Sequence, residues 1–365
     1  MPIKLKPARA WRTYQGGSRI DALHGAEKPE DSNFPEEWII STVAANNPGR
    51  EEFAGEGLSI SEDGESTLAD LIRSDPAGSL GEKHVNKFGA STGVLVKLLD
   101  AAERLAIQVH PDKASALRLF GSKYGKTECW YILPAGSSNK ADTPCIYMGF
   151  KPGISKDKWR KLFDRQDING MLDCLHRIEV SPGETYLVES GVPHAIGPGC
   201  FLVEIQEPTD FTLRVEKTTI SGRTIPDERC HLGAGFEEML SCFKYEGLTC
   251  MQTLDRWRIK PLVIEESEGV KYIEAVGHKD TPCFRMTVLT VGQGRSFKVP
   301  PEDIFSGLYI LEGQGKLFAG REGSEPIFLK PGDQFFIPAG MGGFSIKGTA
   351  REAMKLMRFF GPDIR

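Results

Sequence analysis

The chain has 365 residues, and its 45 lysines and arginines against 50 aspartates and glutamates give a formal net charge of -5. One domain per ~150 residues predicts two domains at this length. The charge balance argues against a nucleic-acid partner, because no basic face dominates. No apolar run reaches the ~18 residues of a membrane span, and the N-terminus lacks the apolar region of a signal peptide. We therefore expect a cytoplasmic globular protein with neither a membrane nor a nucleic acid as partner.

Glycine and cysteine usage refine this picture. The 40 glycines exceed the usual share of ~7% and indicate many turns between short strands. The eight cysteines include no C-x-x-C pair. They are typical of reduced core residues and not of a disulfide framework.

The first part of the chain predicts short strands and one helix. Residues 36–45 are apolar and β-branched, as in a strand. A capped helix is predicted from Ser66 to the Asp75-Pro76 pair. Two further strands are predicted over residues 92–99, with Lys97 inside the first, and over residues 105–110.

In the remaining chain the sequence pattern changes twice, first to a helical and then to a strand-like spacing of apolar residues. Apolar residues spaced by threes and fours between 154 and 178 predict one or two inserted helices, and a further helix is predicted around 236–245. From about 272 to 360, short strands alternate with Gly/Pro turns, which indicates an all-β barrel or sandwich. The predicted division is a catalytic domain at 1–235, a helical linker at 236–265 and a second β domain at 266–365.

Two segments resemble each other. Residues 182–194 read PGETYLVESGVPH, and residues 331–343 read PGDQFFIPAGMGG. Both run from Pro-Gly-acid through a short strand to a glycine turn, where glycine permits a close backbone approach. The last position is His194 in the first copy and Gly343 in the second. We infer two related β-barrels, of which only the first has the histidine.

Strand periodicity predicts a metal site in the N-terminal half. Side chains at i and i+2 share a face, which pairs Gln108 with His110 and Lys126 with Glu128. His194 follows a strand directly. If these strands are neighbours, two imidazoles, a carboxylate and an amide converge, a set suited to Zn, with Fe, Co or Mn as alternatives.

Each of these side chains also has a structural interpretation. A histidine beside proline at a strand end is usually structural, and Glu128 could be only an ion-pair partner of Lys126. The other histidines lie in segments that do not indicate a metal site. We expect His176, near a helix end, to be structural, and four loop-like histidines to be solvated: His24, His84, His231 and His278.

The motifs in order resemble a known family. The runs LAIQVHPDKA, GKTECWYILPA, SPGETYLVESGVPHAIGPG and VEIQEPTDFTLR, within roughly residues 10 to 235, look like the type I mannose-6-phosphate isomerases in their short bacterial form. That family belongs to the cupin superfamily. The resemblance implies a mainly β fold with inserted helices and two cupin-type jelly-roll barrels. Only the N-terminal barrel is expected to carry a metal.

The resemblance also implies an activity and roles for residues. One zinc ion is expected on Gln108, His110, Glu128 and His194. The expected reaction interconverts mannose 6-phosphate and fructose 6-phosphate through an enediol, so the partner is a sugar phosphate. Lys126, Lys97 and Arg214 are the expected catalytic residues. Their assigned roles are as follows: Lys126 moves the proton, Lys97 reaches into the cavity, and Arg214 binds phosphate or enediolate oxygens.

Three departures from the family pattern lie on the substrate side. Ala106 stands where a serine near the phosphate is usual, and Leu213 replaces a tyrosine. The segment after Arg214, VEKTTISGRT, is also different, and Arg223 or a lysine within it could compensate for the lost hydroxyl. Two alternatives therefore stay open. One is an isomerase of another sugar or sugar phosphate, and the other is a non-catalytic sugar-sensing cupin.

Overall fold

The computed structural model describes residues 1–47, 50–135, 143–319 and 325–365, and its strands form four antiparallel sheets. The strands of the first two-thirds are β1 (Ile3–Leu5), β2 (Ala8–Ala10), β3 (Glu36–Ile39), β4 (Leu95–Asp100), β5 (Gln108–Val109), β6 (Glu128–Ile132), β7 (Cys145–Phe150), β8 (Leu175–Glu179), β9 (Thr185–Val188), β10 (His194–Ile196), β11 (Phe201–Gln206), β12 (Leu213–Arg214) and β13 (Arg258–Ile259). The remaining strands are β14 (Leu262–Ser267), β15 (Val270–Val276), β16 (Arg285–Val291), β17 (Ser296–Val299), β18 (Ser306–Glu312), β19 (Gly315–Ala319), β20 (Ile327–Leu329), β21 (Gln334–Ile337), β22 (Phe344–Gly348) and β23 (Met354–Phe360).

Short helices connect these strands in the described ranges. They are α1 (Ser18–Leu23), α2 (Leu68–Ser74), α3 (Pro76–Leu80), α4 (Glu82–Phe88), α5 (Lys113–Phe120), α6 (Lys156–Asp164), α7 (Ile168–Asp173), α8 (Asp227–His231), α9 (Phe236–Ser241) and α10 (Cys250–Trp257). None of the described helices is long and apolar enough to cross a bilayer.

The N-terminal half consists of two sheets that share one core. Sheet I has the order β13-β9-β6-β11-β4-β3-β2, and sheet II has the order β12-β5-β10-β7-β8. Trp130 and Leu202 of sheet I pack in one buried cluster with Ile146 and Ile196 of sheet II. Alternate residues of each strand of sheet I therefore face the interior between the two sheets, where the candidate site lies.

The C-terminal half repeats this arrangement. Sheet III has the order β1-β21-β18-β23-β16-β15-β14, and sheet IV has the order β17-β22-β19-β20. Leu289 and Leu308 of sheet III share an apolar cluster with Leu317 and Ile346 of sheet IV. The N-terminal strand β1 joins sheet III by pairing with β21, so the two ends of the sequence meet in this half.

The two halves pack through sheets I and III. Val96 and Val203, on the outer face of sheet I, belong to one buried cluster with Val288 and Met357 of sheet III. Polar residues cross the interface as well, since the Tyr309 hydroxyl donates to Glu37 Oε1 at 3.0 Å. Sheet I is therefore covered on both faces, which explains why its central strands β4, β6 and β11 are buried along their whole length.

Several predicted elements are confirmed. Helices α6 and α7 occupy the helical stretch after residue 154, α9 lies inside the segment predicted at 236–245, and residues 272–360 are dominated by strands. Helix α2 begins after its cap Thr67 and ends at Ser74, before Asp75. The fold is thus mainly β with inserted helices, as expected.

Other local predictions are wrong. The described part of the first hundred residues contains four α-helices instead of one, and a further short helix, α5, follows β5 closely. The short helices α3 and α5 are fixed by side-chain caps, because Asp75 accepts from Gly78 N and Asp112 accepts from Ser115 N. The predicted strands are also shorter than expected: β3 ends at Ile39, and β5 has only two residues.

His84 and Cys250 differ from their predicted environments. His84, expected to be solvated, lies on α4 with 2% exposure, and its Nε2 is 2.7 Å from Ser91 O. Its ring packs edge-on against Phe305 from the C-terminal half, a contact that no local pattern reveals. None of the eight cysteines, all of which lie in the described residues, forms a disulfide; seven are buried, but Cys250 is exposed.

Candidate active site

Adjacent strands bring the predicted metal ligands together. In sheet II, His194 of β10 lies opposite Gln108 of β5 in antiparallel register. His110 follows β5 by one residue, and Glu128 begins β6 in the facing sheet I. All four side chains are buried, with Glu128 and His194 at 0% exposure. The interior face predicted from strand periodicity is therefore the face that they occupy.

The donor atoms converge on one point. One donor atom each from His110, Glu128 and His194 lies within 4.8 Å of the other two. Glu128 Oε2 is 3.1 Å from His110 Nε2, and Glu128 Oε1 is 3.4 Å from His194 Nε2. The Gln108 side-chain amide lies 3.1 Å from the same His194 nitrogen. Because the amide oxygen and nitrogen are interchangeable by a flip, Gln108 can also present its oxygen.

The outer nitrogens of the imidazoles fix their orientation. His110 Nδ1 lies 2.8 Å from Phe211 O, and His194 Nδ1 lies 2.9 Å from Val192 O. A carbonyl can only accept, so each Nδ1 carries the hydrogen and each Nε2 turns its lone pair to the cluster. Burial, reinforced by the Lys126 charge, lowers the pKa of His110 to about 3, and burial also lowers the pKa of His194. Both rings are therefore neutral near pH 7, the state in which imidazole binds a metal.

Glu128 supplies the charge that a cation needs. Burial alone would raise the pKa of Glu128, but Lys126 and the two histidines outweigh it and hold the pKa well below the usual value. Neither oxygen receives a well-directed hydrogen bond, although both are buried. A buried, ionised carboxylate whose oxygens lack well-directed hydrogen bonds is unusual unless it coordinates an ion. Two neutral imidazoles, this carboxylate and the amide of Gln108 thus fit a divalent metal of the zinc type.

Lys126 lies against the same atoms. Its ammonium is 2.9 Å from Glu128 Oε2 and 3.0 Å from His110 Nε2, and the side chain is 2% exposed. The ion pair with Glu128, the structural alternative to a catalytic role, is therefore present. The lysine also borders a cavity between the two sheets. It can thus reach both the ligand cluster and the open space beside it.

Lys97 projects into this cavity, as expected from its place in an apolar strand. Its ammonium lies 3.4 Å from Glu204 Oε1 and 3.8 Å from Glu36 Oε2. Burial would lower the pKa of Lys97, but the carboxylates of Glu204, Glu36 and Asp210 more than offset burial and raise the pKa. Lys97 is therefore a fixed cation and a poor base near pH 7.

Arg214 borders the cavity, and none of the ion pairs among the described residues includes it. Its Nη1 donates only long hydrogen bonds, to Thr212 O at 3.3 Å and Arg229 O at 3.5 Å. The alternative interpretation, an ion pair with Glu204 or Asp210, finds no support in the described ion pairs, in which Lys97 contacts both and Arg12 also contacts Asp210. Burial, more than the opposing charge of Asp210, lowers the pKa of Arg214. Its N–H groups remain available for an anion.

Glu204 is the residue that the sequence reasoning missed as a site residue. It faces the same cavity from the middle of β11, and Oε1 has no hydrogen-bond partner. Burial raises the pKa of Glu204 despite Lys97, and the nearby charge of Glu128 adds to that rise. The signal was available, because a carboxylate inside the apolar run FLVEIQ is as costly as Lys97 in its own strand.

Comparison with known proteins gives consistent relatives. A model of the type I phosphomannose isomerase catalytic domain matches residues 8–126. Mannose-6-phosphate isomerase ManA of Bacillus subtilis is 27% identical over 282 residues, which cover 74% of this chain and 78% of that protein. A second B. subtilis relative, YvyI, to which the same activity is provisionally assigned, is 30% identical over 286 residues with the same coverage.

Solved structures extend the similarity over the whole chain. The crystal structure of mannose 6-phosphate isomerase from B. subtilis superposes with a TM-score of 0.74 at 25% identity, covering 98% of this chain and 99% of that one. An alanine variant of phosphomannose isomerase from Salmonella typhimurium gives a TM-score of 0.69 at 17% identity, with 100% of both chains covered. The second similarity concerns the fold alone.

Proposed function

The chain belongs to the type I phosphomannose isomerase family, and from this premise we propose that it interconverts mannose 6-phosphate and fructose 6-phosphate. The relatives named for this activity support the substrate. The observation that carries the proposal is the convergence of His110, Glu128 and His194 on one point. That point adjoins a cavity bordered by Gln108.

We propose that Gln108, His110, Glu128 and His194 hold one divalent ion, zinc in the first instance. The neutral imidazoles and the ionised carboxylate support this assignment. When bound, such an ion supplies Lewis-acid polarisation of sugar oxygens without a redox role. The amide of Gln108 is the weakest donor of the set, which favours exchange with substrate oxygens or water.

The chain's own residues account for the proton transfer. In the open-chain aldose the C2–H bond breaks, its electron pair forms the C1–C2 double bond, and the π pair of the C1 carbonyl moves to O1 to give an enediolate. The O2 hydroxyl then passes its proton to O1 and its O–H electron pair forms the C2 carbonyl, while the double-bond pair takes up the proton at C1 to give the ketose. Lys126 is our first choice for the group that moves this proton, because it borders both the ligand cluster and the cavity. Glu204 is the second choice, because an oxygen without a hydrogen bond and a raised pKa suit a base.

Arg214 and Lys97 have supporting roles in this proposal. Arg214 binds the developing enediolate or the phosphate with its free guanidinium edge. Lys97 keeps a positive charge against Glu204 and Glu36, which holds these carboxylates in place at the cavity wall. The role of Lys97 follows from its ion pairs with Glu36 and Glu204. The role of Arg214 follows from its absence from the ion pairs of the described residues.

At the level of architecture, we propose two cupin-type barrels. Sheets I and II would form the first, and sheets III and IV would form the second, each around its own apolar cluster. The proposed division keeps residues 1–235 as the catalytic unit, 236–265 as a helical linker and 266–365 as the second unit. Strand β1 is exchanged into the sheet of the second unit.

A coupled assay for fructose 6-phosphate, run with and without chelator, tests the function. Turnover of mannose 6-phosphate that chelator abolishes and a divalent ion restores is the expected result. A parallel screen of unphosphorylated and differently phosphorylated aldoses addresses the altered substrate side. Turnover confined to another sugar, or binding without turnover, would overturn the proposed substrate or the proposed activity respectively.

A further inference from the structure

Among the strands at the edges of the four sheets, β14 differs from the others. It forms one edge of sheet III and has six residues, whereas the other edge strands in the described residues have between two and five. All six residues of β14 are exposed. The outer side of an edge strand presents N–H and C=O groups that its own sheet does not bind, so a long exposed edge is a surface on which another strand can pair.

The centre of β14 is apolar. Leu262, Val263 and Ile264 are 49, 47 and 44% exposed, and none of the three belongs to a buried apolar cluster of the described residues. The next longest edge strand, β8, exposes two charged residues instead, Arg177 and Glu179. Exposed charges of this kind protect an edge from association. The centre of β14 lacks this protection.

The sequence around this apolar centre is complementary to its own reverse. From Lys260 to Glu266 it reads KPLVIEE, with a cation at one end and two carboxylates at the other. When two copies of β14 run antiparallel about a two-fold axis at Val263, Lys260 of each copy comes opposite Glu266 of the other. Leu262 then comes opposite Ile264. Pairs of opposite charge and pairs of apolar side chains both stabilise neighbouring strands.

The charged ends are available for these contacts. Lys260 is exposed and takes part in none of the ion pairs among the described residues. Glu266 Oε1 lies 3.1 Å from the Lys271 ammonium of β15, and both side chains are more than half exposed. Because an exposed pair of this kind is weak, Glu266 can accept a second ammonium with little loss.

A bulge limits how far the backbones of two copies pair. Ile264 has no partner on β15, since the register shifts between Val263 and Glu265. A bulge bends its strand, so the pairing between copies covers a short segment around Val263 and not a long ladder. The apolar side chains and the charges at both ends therefore carry much of the contact.

We propose that β14 is the contact of a two-fold symmetric dimer of this chain, in which β14 of one copy lies antiparallel to β14 of the other. The occupant of the edge is a second copy because the order of charges along KPLVIEE matches its own reverse, as a two-fold interface requires. The contact residues are not among those that line the cavity of the candidate site. The dimer therefore leaves that cavity open, and the inference does not depend on the proposed function.

Sedimentation velocity of the full chain over a range of concentrations tests this proposal. The wild type should show a reversible equilibrium between monomer and dimer. Val263→Lys places two ammonium groups opposite each other at the axis and should abolish the dimer. Phe328→Lys is the matched control, because it introduces the same charge at an exposed apolar residue of another edge strand, β20, and it should leave the equilibrium unchanged. A wild type that is monomeric at every concentration, or a dimer that Val263→Lys does not weaken, would overturn the proposal.

A charge exchange tests the register. Lys260→Glu places like charges opposite each other at both ends and should weaken the dimer about tenfold or more, because two-fold symmetry makes each substitution act twice. Combining it with Glu266→Lys restores opposite charges in reversed order and should recover most of the affinity. Lys298→Glu, on the edge strand β17, is the control and should have no effect. Far-UV circular dichroism checks that each variant folds. If Lys260→Glu does not weaken the dimer, or if the double variant remains as weak as the single one, the proposed pairing is wrong.

Discussion

The two similar segments of the chain form the same turn but serve different ends. Ser181 N donates to Glu184 Oε2 at 2.8 Å in the first, and Lys330 N donates to Asp333 Oδ2 at 2.9 Å in the second. The glycine between them has φ +88° in the first segment and +84° in the second. Each turn leads into a buried strand, β9 or β21. The repeated motif thus specifies a scaffold and not a site.

The two segments differ at their thirteenth position, which is His194 in the first and Gly343 in the second. His194 stands in a polar interior beside Gln108 and Glu128. At Gly343 an added Cβ would lie 3.0 Å from Val299 O and 3.1 Å from Pro301 Cδ, so that even this one atom would be tightly packed. Buried charges surround the first position, whereas the cluster between sheets III and IV is apolar. The comparison teaches that one framework can hold either a cluster of potential metal ligands or an ordinary apolar core.

The largest effect is expected from His194→Ala. Loss of one imidazole should remove the bound metal and lower turnover by more than the ~100-fold typical of changes outside the ligand shell. Elemental analysis together with the coupled assay measures both. His278→Ala, in the C-terminal half, is the matched control and should keep metal and activity. Stoichiometric metal with full activity in His194→Ala would refute the ligand assignment.

Lys126→Gln and Glu204→Gln identify the group that moves the proton. The variant that lacks the true base should lose about 10²–10⁴ in kcat, as general bases typically contribute. In the plot of kcat against pH, this variant should also lack the rise in rate that reflects deprotonation of the base. The other variant should retain this rise. If both variants keep the wild-type kcat, neither residue moves the proton.

Arg214→Ala should spare the metal and reduce turnover by about 10²–10³, the usual cost of removing one donor to a developing oxyanion. Metal content and kcat are measured on the same preparation. A lower kcat with unchanged metal content distinguishes oxyanion binding by Arg214 from a role as metal ligand. An unchanged rate would make Arg214 a structural residue.

Glu36 should make the N-terminal half sensitive to acid. Burial alone would raise the pKa of this carboxyl, but Arg12 and Lys97 more than offset burial and lower the pKa to about 2 from an ordinary value of 4.5. The resulting stabilisation, at most about 3 kcal/mol, is present above pH 5 and decreases as pH falls towards 2. Urea unfolding of Glu36→Gln should therefore show a smaller stability deficit at pH 3 than at pH 6. An equal deficit at both values would contradict this account.

The smallest effects concern the repeated turn. Alanine at Gly183 should cost about 1–2 kcal/mol, because the left-handed backbone conformation disfavours any side chain. At Gly332 the cost should be larger, since the added Cβ would also collide with the ring of His24, whereas at Gly183 the nearest atom is Tyr131 Oη at 4.0 Å. Chemical denaturation of both variants measures the difference. Equal costs would mean that the His24 ring moves freely aside.

The sequence reasoning succeeded where a local rule carries the information. Alternation along strands predicted that Lys126 and Glu128 share a face, and the structure brings their side chains to 2.9 Å from each other. It failed where a distant part of the chain decides. His84 is buried against Phe305, more than two hundred residues away. Glu204 was missed because the cost of burying a charged side chain was considered for Lys97 in β4 but not for Glu204, which lies opposite it in β11.

Anomalous diffraction at the zinc absorption edge, on crystals of catalytically active protein, tests the central claim most directly. The account predicts one anomalous peak in the N-terminal half, within bonding distance of His110 Nε2, His194 Nε2 and a Glu128 oxygen. Active crystals with no peak there, or with their metal bound elsewhere, would contradict it.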